Sequence, residues 1–381
     1  MTATQDQAQD QNQDQAGPRP PQRVPHFHPL TVAAIETLTD DAVAVSFTIP
    51  DELADAYTFT AGQHITLRAM IDGTDVRRSY SICAPAGART LRVAVKRLDG
   101  GVFSAWLLDH LRVGDRLDVM TPIGSFGTTF QPTAARRYVA LAAGSGITPV
   151  LSILATALES EPDSSVVLVY GNRTSADVMF LDELADLKDR YPDRLQLLHV
   201  LSREQRESPL LSGRIDAEKL GVLMRSVLDP RAVDIWFVCG PHGMVETCQS
   251  ALTTYGVRPD DVRTELFHVE DVAPRRAVPS ARAEPGAEDA STILLTLDGL
   301  STTVTMERDT RPVLDAVAEV RPDAPYSCRG GVCGTCRARC VVGEVEMERC
   351  YALEKSEIAD GYVLTCQSYP VTDHVELDYD Q

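Results

Sequence analysis

The sequence predicts three domains in series: an antiparallel β-barrel, an α/β domain on a parallel sheet, and a small β-rich domain carrying a cysteine loop. Three observations predict this order. Short strand patterns punctuated by turn residues fill residues 26–131, the spacing of a small antiparallel barrel. Over residues 132–270 apolar strands alternate with helical patterns, which means βαβ units. Residues 291–381 then hold Cys328, Cys333, Cys336 and Cys366. A length of 381 residues is compatible with two or three domains.

In the barrel, Val43–Ile49 is a strand pattern ended by Pro50, and Ile65–Met70 is another, with Asp72-Gly73 supplying a turn. Leu91–Lys96 alternates, Leu117–Met120 continues the theme, and a short helix is expected over Ser104–Leu111 after Gly100-Gly101. In the α/β domain the expected strands are Tyr138–Ala143, Val166–Tyr170, Leu195–Val200 and Asp234–Val238, with helices from Thr148 and over Met179–Arg190. Residues 271–290 read as a linker, rich in Pro and Arg with little to bury. In the third domain Asp298-Gly299 joins Thr292–Leu297 to Thr302–Thr305 as a hairpin. Pro312–Val320 is a short helix with proline in its first turn, and Tyr362–Thr365 delivers Cys366.

The whole-chain numbers exclude some partners. A net charge of −19 argues against nucleic acid or an anionic membrane, since both need a basic surface. An acidic surface suits docking onto a basic protein patch, or simply confers solubility. Residues 1–25, rich in Gln, Asp and Pro, have almost nothing to bury and are expected to be disordered. No signal peptide is read at the N-terminus. The uncharged stretch Tyr138–Leu158 is interrupted by Gly144, Gly146 and Pro149, so it reads as strand, turn and helix rather than a membrane span. Nine cysteines without a secretion signal imply a reducing, cytoplasmic setting.

Four motifs carry chemistry. Cys328, Cys333 and Cys336 form a C-x4-C-x2-C run, and Cys366 follows after 29 intervening residues. This is the plant-type spacing for a [2Fe–2S] cluster, each iron taking two thiolates. Gly330, Gly331 and Gly334 allow the sharp bends such a loop needs. A zinc site or unligated thiols are the competing readings, and Cys340 and Cys350 read as ordinary thiols outside the ligand spacing. The second motif is Arg78-Ser79-Tyr80-Ser81: an arginine fork for a pyrophosphate, a flat aromatic face and hydroxyls for a ring nitrogen. It gains force from Gly101-Val102-Phe103-Ser104, where a glycine turn opens a helix and leaves an anion site at its N-terminus. Together they look like a flavin dinucleotide cradle.

The third motif, Gly144-Ser145-Gly146-Ile147-Thr148-Pro149, lies between a strand and a helix and suits phosphate approach. It lacks the third glycine of the usual fingerprint, so a plain tight turn is the alternative. The fourth is scattered over strand ends: Asn172-Arg173, Ser202-Arg203 and Cys239-Gly240. Ligands of open α/β sheets bind there. Arg173 and Arg203 are candidates to grip a 2′-phosphate, which would favour NADPH over NADH; solvated loop arginines are the plainer reading.

In this order the motifs resemble the ferredoxin–NADP reductase superfamily, in the form with a C-terminal plant-type ferredoxin domain of β-grasp type. The likeness spans residues 26–381. Within it the chain is most similar to the reductase subunits of phenylacetyl-CoA epoxidases, on His26–Val32, Ser208–Asp216 and Gly361–Gln367. The resemblance implies an oxidoreductase that passes electrons from NADPH through FAD and a [2Fe–2S] cluster to a separate di-iron oxygenase. It implies that Arg78 holds the FAD pyrophosphate, that Tyr80 packs on the isoalloxazine, and that Ser81 sits near its reactive nitrogen. Ser79, Val95, Lys96 and Gly101–Ser104 would complete the flavin site. Thr148 would lie where flavin and nicotinamide meet, Cys239 near the nicotinamide, and Glu265 and Phe267 would form the nicotinamide-side pair. The rival assignments are a reductase for another oxygenase, such as a steroid or aromatic-ring hydroxylase, and a zinc-stapled, non-catalytic binding protein.

Overall fold

The computed structural model describes residues 24–267, 290–308 and 310–381. The disorder expected for the N-terminal tail and nearly all of the expected linker lie outside the described residues.

The first domain contains β1 (Phe27–Thr39), β2 (Ala42–Thr48), β3 (His64–Ile71), β4 (Thr74–Ser81), β5 (Leu91–Lys96), α1 (Val102–His110) and β6 (Arg116–Met120). The sheet order is β4-β3-β6-β1-β2-β5 with antiparallel neighbours. A bridge from Ile82, just past β4, to Val93 on β5 brings the two edges together. Leu30, Val45, Phe47, Ile65, Leu67, Val93 and Val119 fill the interior. The Asp72-Gly73 turn has φ of 49° and 78°, and Asp298-Gly299 has 54° and 69°, both left-handed as a two-residue type I′ hairpin requires.

The second domain contains β7 (Arg137–Ala143), α2 (Ile147–Ser160), β8 (Ser165–Asn172), α3 (Leu181–Arg190), β9 (Leu195–Leu201), α4 (Ala217–Ser226), β10 (Ile235–Gly240), α5 (His242–Thr254) and β11 (Val262–Leu266). All neighbours in the order β11-β10-β7-β8-β9 are parallel. The strand order reverses between β7 and β10, so the ligand crevice of this fold lies at their carboxyl ends. Helix α3 starts two residues later than expected because Phe180 takes a left-handed φ of 60°. Helix α4 was not foreseen, although the Asp216 side chain caps it by accepting from the Lys219 N–H at 2.9 Å. Helix α5 was also missed; Gly243 in its first turn weakens the helical signal. The stretch Tyr138–Leu158 divides into β7, a glycine turn and α2 as expected. Among the described residues no helix is long and apolar enough to cross a membrane.

The third domain contains β12 (Ala290–Leu297), β13 (Leu300–Glu307), α6 (Val313–Val320), β14 (Arg337–Val342), β15 (Val345–Met347), α7 (Lys355–Ala359), β16 (Tyr362–Leu364), β17 (Ser368–Pro370) and β18 (His374–Asp378). Its main sheet runs β13-β12-β18-β14-β16, with β12 and β18 parallel and the other pairs antiparallel. Helix α6 buries Val313, Ala316 and Val317 against that sheet. Pro312 caps α6 from outside instead of beginning it.

Candidate functional site

Strand β4 organises the site. Successive side chains on a strand point to opposite faces. Tyr80 lies on one face of β4, its ring 6.0 Å from that of buried Phe103 in α1. Arg78 is exposed, donating from Nη1 to the Arg77 carbonyl at 2.7 Å. Gly101 opens α1, where the Ser104 hydroxyl accepts from the Leu98 N–H at 3.1 Å and donates to the Gly101 carbonyl at 3.4 Å. A Cβ on Gly101 would meet Leu98 Cβ and Ser104 Oγ at 2.9 Å, so only glycine fits this turn. Beside it lies an open cleft of about 300 Å³, lined by Arg97 to Val102 and Ala105. An exposed arginine, a half-buried tyrosine and an open first helical turn fit a flavin dinucleotide. Two of the expected flavin residues are engaged within the protein. Val95 is wholly buried in the barrel, and the Lys96 ammonium pairs with Asp41 at 3.2 Å.

The second set converges at the carboxyl ends of β7 and β10. A Cβ on Gly146 would lie 2.3 Å from the Cys239 carbonyl oxygen, so the β7–α2 turn sits flush against the end of β10. Gly144 takes a left-handed φ of 54°. Between these glycines is Ser145, whose carbonyl accepts from the buried Thr148 hydroxyl at 3.0 Å. Gly240 likewise admits close packing; its Cβ would lie 2.8 Å from Met244 Cε. At the end of β8, Asn172 is buried and its Nδ2 lacks a partner among the described residues, a donor that fits a polar ligand such as a nicotinamide dinucleotide. Ser202 and Arg203 are exposed at the end of β9. Arg173 is committed elsewhere. Its guanidinium pairs with Asp177 and, at 3.2 Å, with Asp41 of the barrel domain.

Glu265 joins these two sets. Its Oε2 accepts from the Ser81 hydroxyl at 3.1 Å, across 184 residues of sequence. By area the side chain is part-buried, yet the protein crowding around it strips water and pushes its carboxyl up to about 8. The Ser81 hydrogen bond opposes that rise and nearby Cys333 adds to it. Cys239 is wholly buried, and burial, reinforced by Glu265, drives its thiol well up. Phe267, just past β11, is partly exposed.

The cysteine loop bends at Arg329, Gly331 and Gly334, with φ of 55°, 75° and 70°. The thiols associate in two pairs. Cys333 hydrogen-bonds Cys328, which holds Cys328 low and Cys333 high; Cys336 does the same for Cys366. Further donors point at the sulfurs: the Gly330 N–H to Cys328 at 3.3 Å, the Thr335 hydroxyl to Cys333 at 3.1 Å, and Gln367 Nε2 to Cys366 at 3.7 Å. Two thiol pairs with N–H and O–H donors around them fit a two-iron, two-sulfide group, each iron taking one pair. Cys340 turns away, its thiol 3.5 Å from the Val342 carbonyl on β14. Cys350 is nearer than its spacing suggests, for it packs in one apolar cluster with Cys336 and Cys366.

All three sets therefore meet around β4. Sequence reasoning missed the residues that bring them together. Ser79 donates to Ser327, next to Cys328, at 2.9 Å, and Arg77 reaches Pro322 and Ala324. Arg92 pairs bidentately with Glu183 of the second domain. The pairing partners lie far away in sequence, so no local pattern announces them.

Comparison with known proteins follows the same division. Residues 29–127 match the oxidoreductase FAD-binding domain, 140–250 the oxidoreductase NAD-binding domain, and 295–371 the 2Fe-2S iron-sulfur cluster binding domain. The chain is 45% identical over 356 residues to one of the subunits of the 1,2-phenylacetyl-CoA epoxidase of Escherichia coli (strain K12), covering 93% of this chain and 98% of that protein. It is 36% identical over 354 residues to the ferredoxin reductase component of 3-ketosteroid-9-alpha-monooxygenase of Rhodococcus rhodochrous, covering 92% and 96%. Among solved structures it shares the fold of phthalate dioxygenase reductase, with a TM-score of 0.58 and 24% identity over 92% of this chain and 98% of that one.

Proposed function

The chain belongs to the oxygenase reductase components that join FAD-, NAD- and 2Fe–2S-binding domains, and from that premise we propose that it delivers electrons from NADPH to a di-iron oxygenase that epoxidises phenylacetyl-CoA. That it is an oxidoreductase feeding an oxygenase partner follows from the family. The choice of partner rests on the 45% identity to the phenylacetyl-CoA epoxidase protein against 36% to the ketosteroid reductase. Nine cysteines outside any disulfide suit a reducing cytoplasm.

One observation carries the electron-transfer reading: a single strand, β4, touches both neighbouring domains, through Ser81–Glu265 and Ser79–Ser327. FAD, when bound, accepts a pair of electrons as hydride and releases them one at a time to a one-electron cluster, a conversion that the nicotinamide and the cluster cannot perform on each other. The chain supplies position and electrostatics. Arg78 and the first-turn N–H groups of α1 would hold the FAD pyrophosphate, and Tyr80 would offer its face to the ring. The Gly144–Gly146 turn, Thr148, Asn172 and Gly240 would seat the nicotinamide dinucleotide, with Arg203 on the 2′-phosphate. Glu265, holding its proton below about pH 8, keeps the junction of the two sites uncharged and aims the Ser81 hydroxyl. Cys328 with Cys333, and Cys336 with Cys366, would each take one iron.

The test is reconstitution. Anaerobic NADPH should bleach the flavin and then the cluster of the purified protein, and adding the phenylacetyl-CoA epoxidase oxygenase should give epoxide at a rate set by this protein. Turnover only with a different oxygenase would overturn the substrate assignment and leave the electron path standing.

A further inference from the structure

The contact between the barrel and the ferredoxin domain is built around one side chain that the electron path above does not use. Arg77 is on β4, adjacent to Arg78, and is 4% exposed. Its Nε and Nη2 grip the Asp75 carboxylate at 3.2 and 2.9 Å. The rest of the guanidinium crosses the domain boundary. Nη1 donates to the Ala324 carbonyl at 3.4 Å and Nη2 to the Pro322 carbonyl at 3.3 Å, over more than 240 residues of sequence. The plane lies over the Tyr326 ring at 3.9 Å, with the Phe27 ring at 5.3 Å. Tyr326 is itself covered by Arg329 at 4.5 Å. Every group that Arg77 touches across the boundary lies in Pro322–Tyr326, the segment that leads into Cys328, and Ser79–Ser327 extends the contact to the next residue. An arginine placed only to balance Asp75 would stay solvated. Burial of a charge requires that nearly all its donors be matched, and here the matching groups belong to the cluster loop.

We propose that Arg77 is a positioning residue that latches the entry to the cluster loop onto the flavin strand, and so sets the rate at which electrons cross from flavin to cluster. This inference rests on the electron path proposed above. Lysine cannot replace it, because the contact uses a planar, stacked fork. Tyr326 is the other half of the latch, and its removal should act like removal of Arg77.

The test uses the full chain with its cofactors, as wild type, Arg77→Ala, Arg77→Lys and Tyr326→Ala, read in two ways. Anaerobic rapid mixing with NADPH separates bleaching of the flavin from bleaching of the cluster. Hydrogen exchange over residues 321–328 reports whether the segment is docked. In Arg77→Ala and Tyr326→Ala, flavin bleaching and ferricyanide reduction should keep the wild-type rate. Cluster bleaching should slow about tenfold or more, the scale on which lost positioning slows a reaction between held groups, and exchange over 321–328 should accelerate. Arg77→Lys should not restore either. Cluster bleaching at the wild-type rate in the alanine variants, or unchanged exchange, overturns the proposal. If Arg77→Ala does not fold, Tyr326→Ala decides alone. A wild-type protein whose flavin or cluster fails to respond to NADPH would instead overturn the electron path itself.

Discussion

The barrel meets the α/β domain across an apolar seam and the ferredoxin domain across a polar one. In the first, Ala42, Ala44, Ala94 and Phe126 share one buried cluster with Tyr138, Ile147, Leu151 and Phe237, and the Phe126 and Phe237 rings meet edge to face at 5.7 Å. Hydrogen bonds seal its rim: the Ser152 hydroxyl to the Ala84 carbonyl at 2.6 Å and the Ala86 N–H to Thr156 Oγ1 at 2.9 Å. In the second, the contacts include Arg77 on carbonyls and Tyr326, Ser79 on Ser327, and His26 at 3.5 Å from Asp298, with Val24 packed on the ferredoxin core as the small apolar part. Opening an apolar seam exposes core to water and costs in proportion to area. Opening a polar one exchanges protein partners for water at a small net cost. The first two domains therefore act as one body, and the ferredoxin domain as a module docked on it.

The largest effect that tests this contrast comes from Cys333→Ser. It removes a thiolate proposed to hold one iron, so iron, acid-labile sulfide and all oxygenase-coupled turnover should be lost. The apolar seam does not depend on the cluster, so bound FAD and NADPH-driven ferricyanide reduction should persist. Loss of FAD from this variant would show that the two bodies fold as one. Gly146→Ala strikes the opposite region. Its Cβ would lie 2.3 Å from backbone oxygen, which must move, and overpacking of this kind costs about 1–3 kcal/mol. NADPH reduction of the flavin should fall sharply and the melting temperature drop, while dithionite still reduces the cluster fully.

Glu265 sits where the two regions meet, and its test is a pH profile. Its folded carboxyl titrates at about 8 against an ordinary 4.5, so the folded state binds the extra proton. Stability should fall as pH rises from about 4.5 through 8 and level off above. Ionisation also places a negative charge beside the incoming electrons, so flavin reduction by NADPH should slow as the pH passes through about 8, the folded value alone. Glu265→Gln should flatten both profiles; an inflection near pH 8 that survives the substitution would assign it to another group.

How much of this was legible in the sequence depends on the range of the interaction. The Asp72-Gly73 and Asp298-Gly299 hairpins, the cysteine spacing and the glycine turn at 144–146 are local, and a local pattern announces a local geometry. Strand β1, the capped helix α4 and the helix α5 after Pro241 were missed because their signals are weak or interrupted by glycine. The partners of Arg77 and Arg92 were invisible for a different reason. Nothing near Arg77 distinguishes it from Arg78, and only the fold brings Pro322 and Tyr326 to it. Arg173 shows the same limit from the other side: its place at a strand end suggested a phosphate ligand, while its ion pairs to Asp41 and Asp177 could not be read from that place.

A smaller effect is expected from Arg92→Ala, which breaks the charged rim of the apolar seam while leaving its core. Arg92 bonds Glu183 at 2.7 and 3.0 Å and is largely shielded, although Glu36 on its other side is exposed. A loss of about 1–2 kcal/mol in denaturant unfolding is expected for charge-assisted bonds of this kind, with no change in flavin-to-cluster transfer. A larger loss would mean that the rim, and not the buried cluster, holds the two domains together.

The finest distinction is between the two arginines at the carboxyl ends of β8 and β9. Arg173 bridges to the barrel through Asp41, whose carboxyl also meets Lys96 and is held below the usual range, burial opposing hydrogen bonds from Thr39 and Lys96 and the charges of Lys96 and Arg173. It is thus a part of the seam. Arg203 is exposed and has no ion pair among the described residues, so its guanidinium is open to a 2′-phosphate. Arg203→Ala should raise KM for NADPH about tenfold, the 1.4 kcal/mol of one charge-assisted contact, and leave KM for NADH unchanged. Arg173→Ala should shift both coenzymes alike, because what it loosens is the position of β8 and not a contact to phosphate. Discrimination lost through Arg173 instead would mean that coenzyme binding opens the Asp41 bridge, and that the seam yields at its edge when the nucleotide arrives.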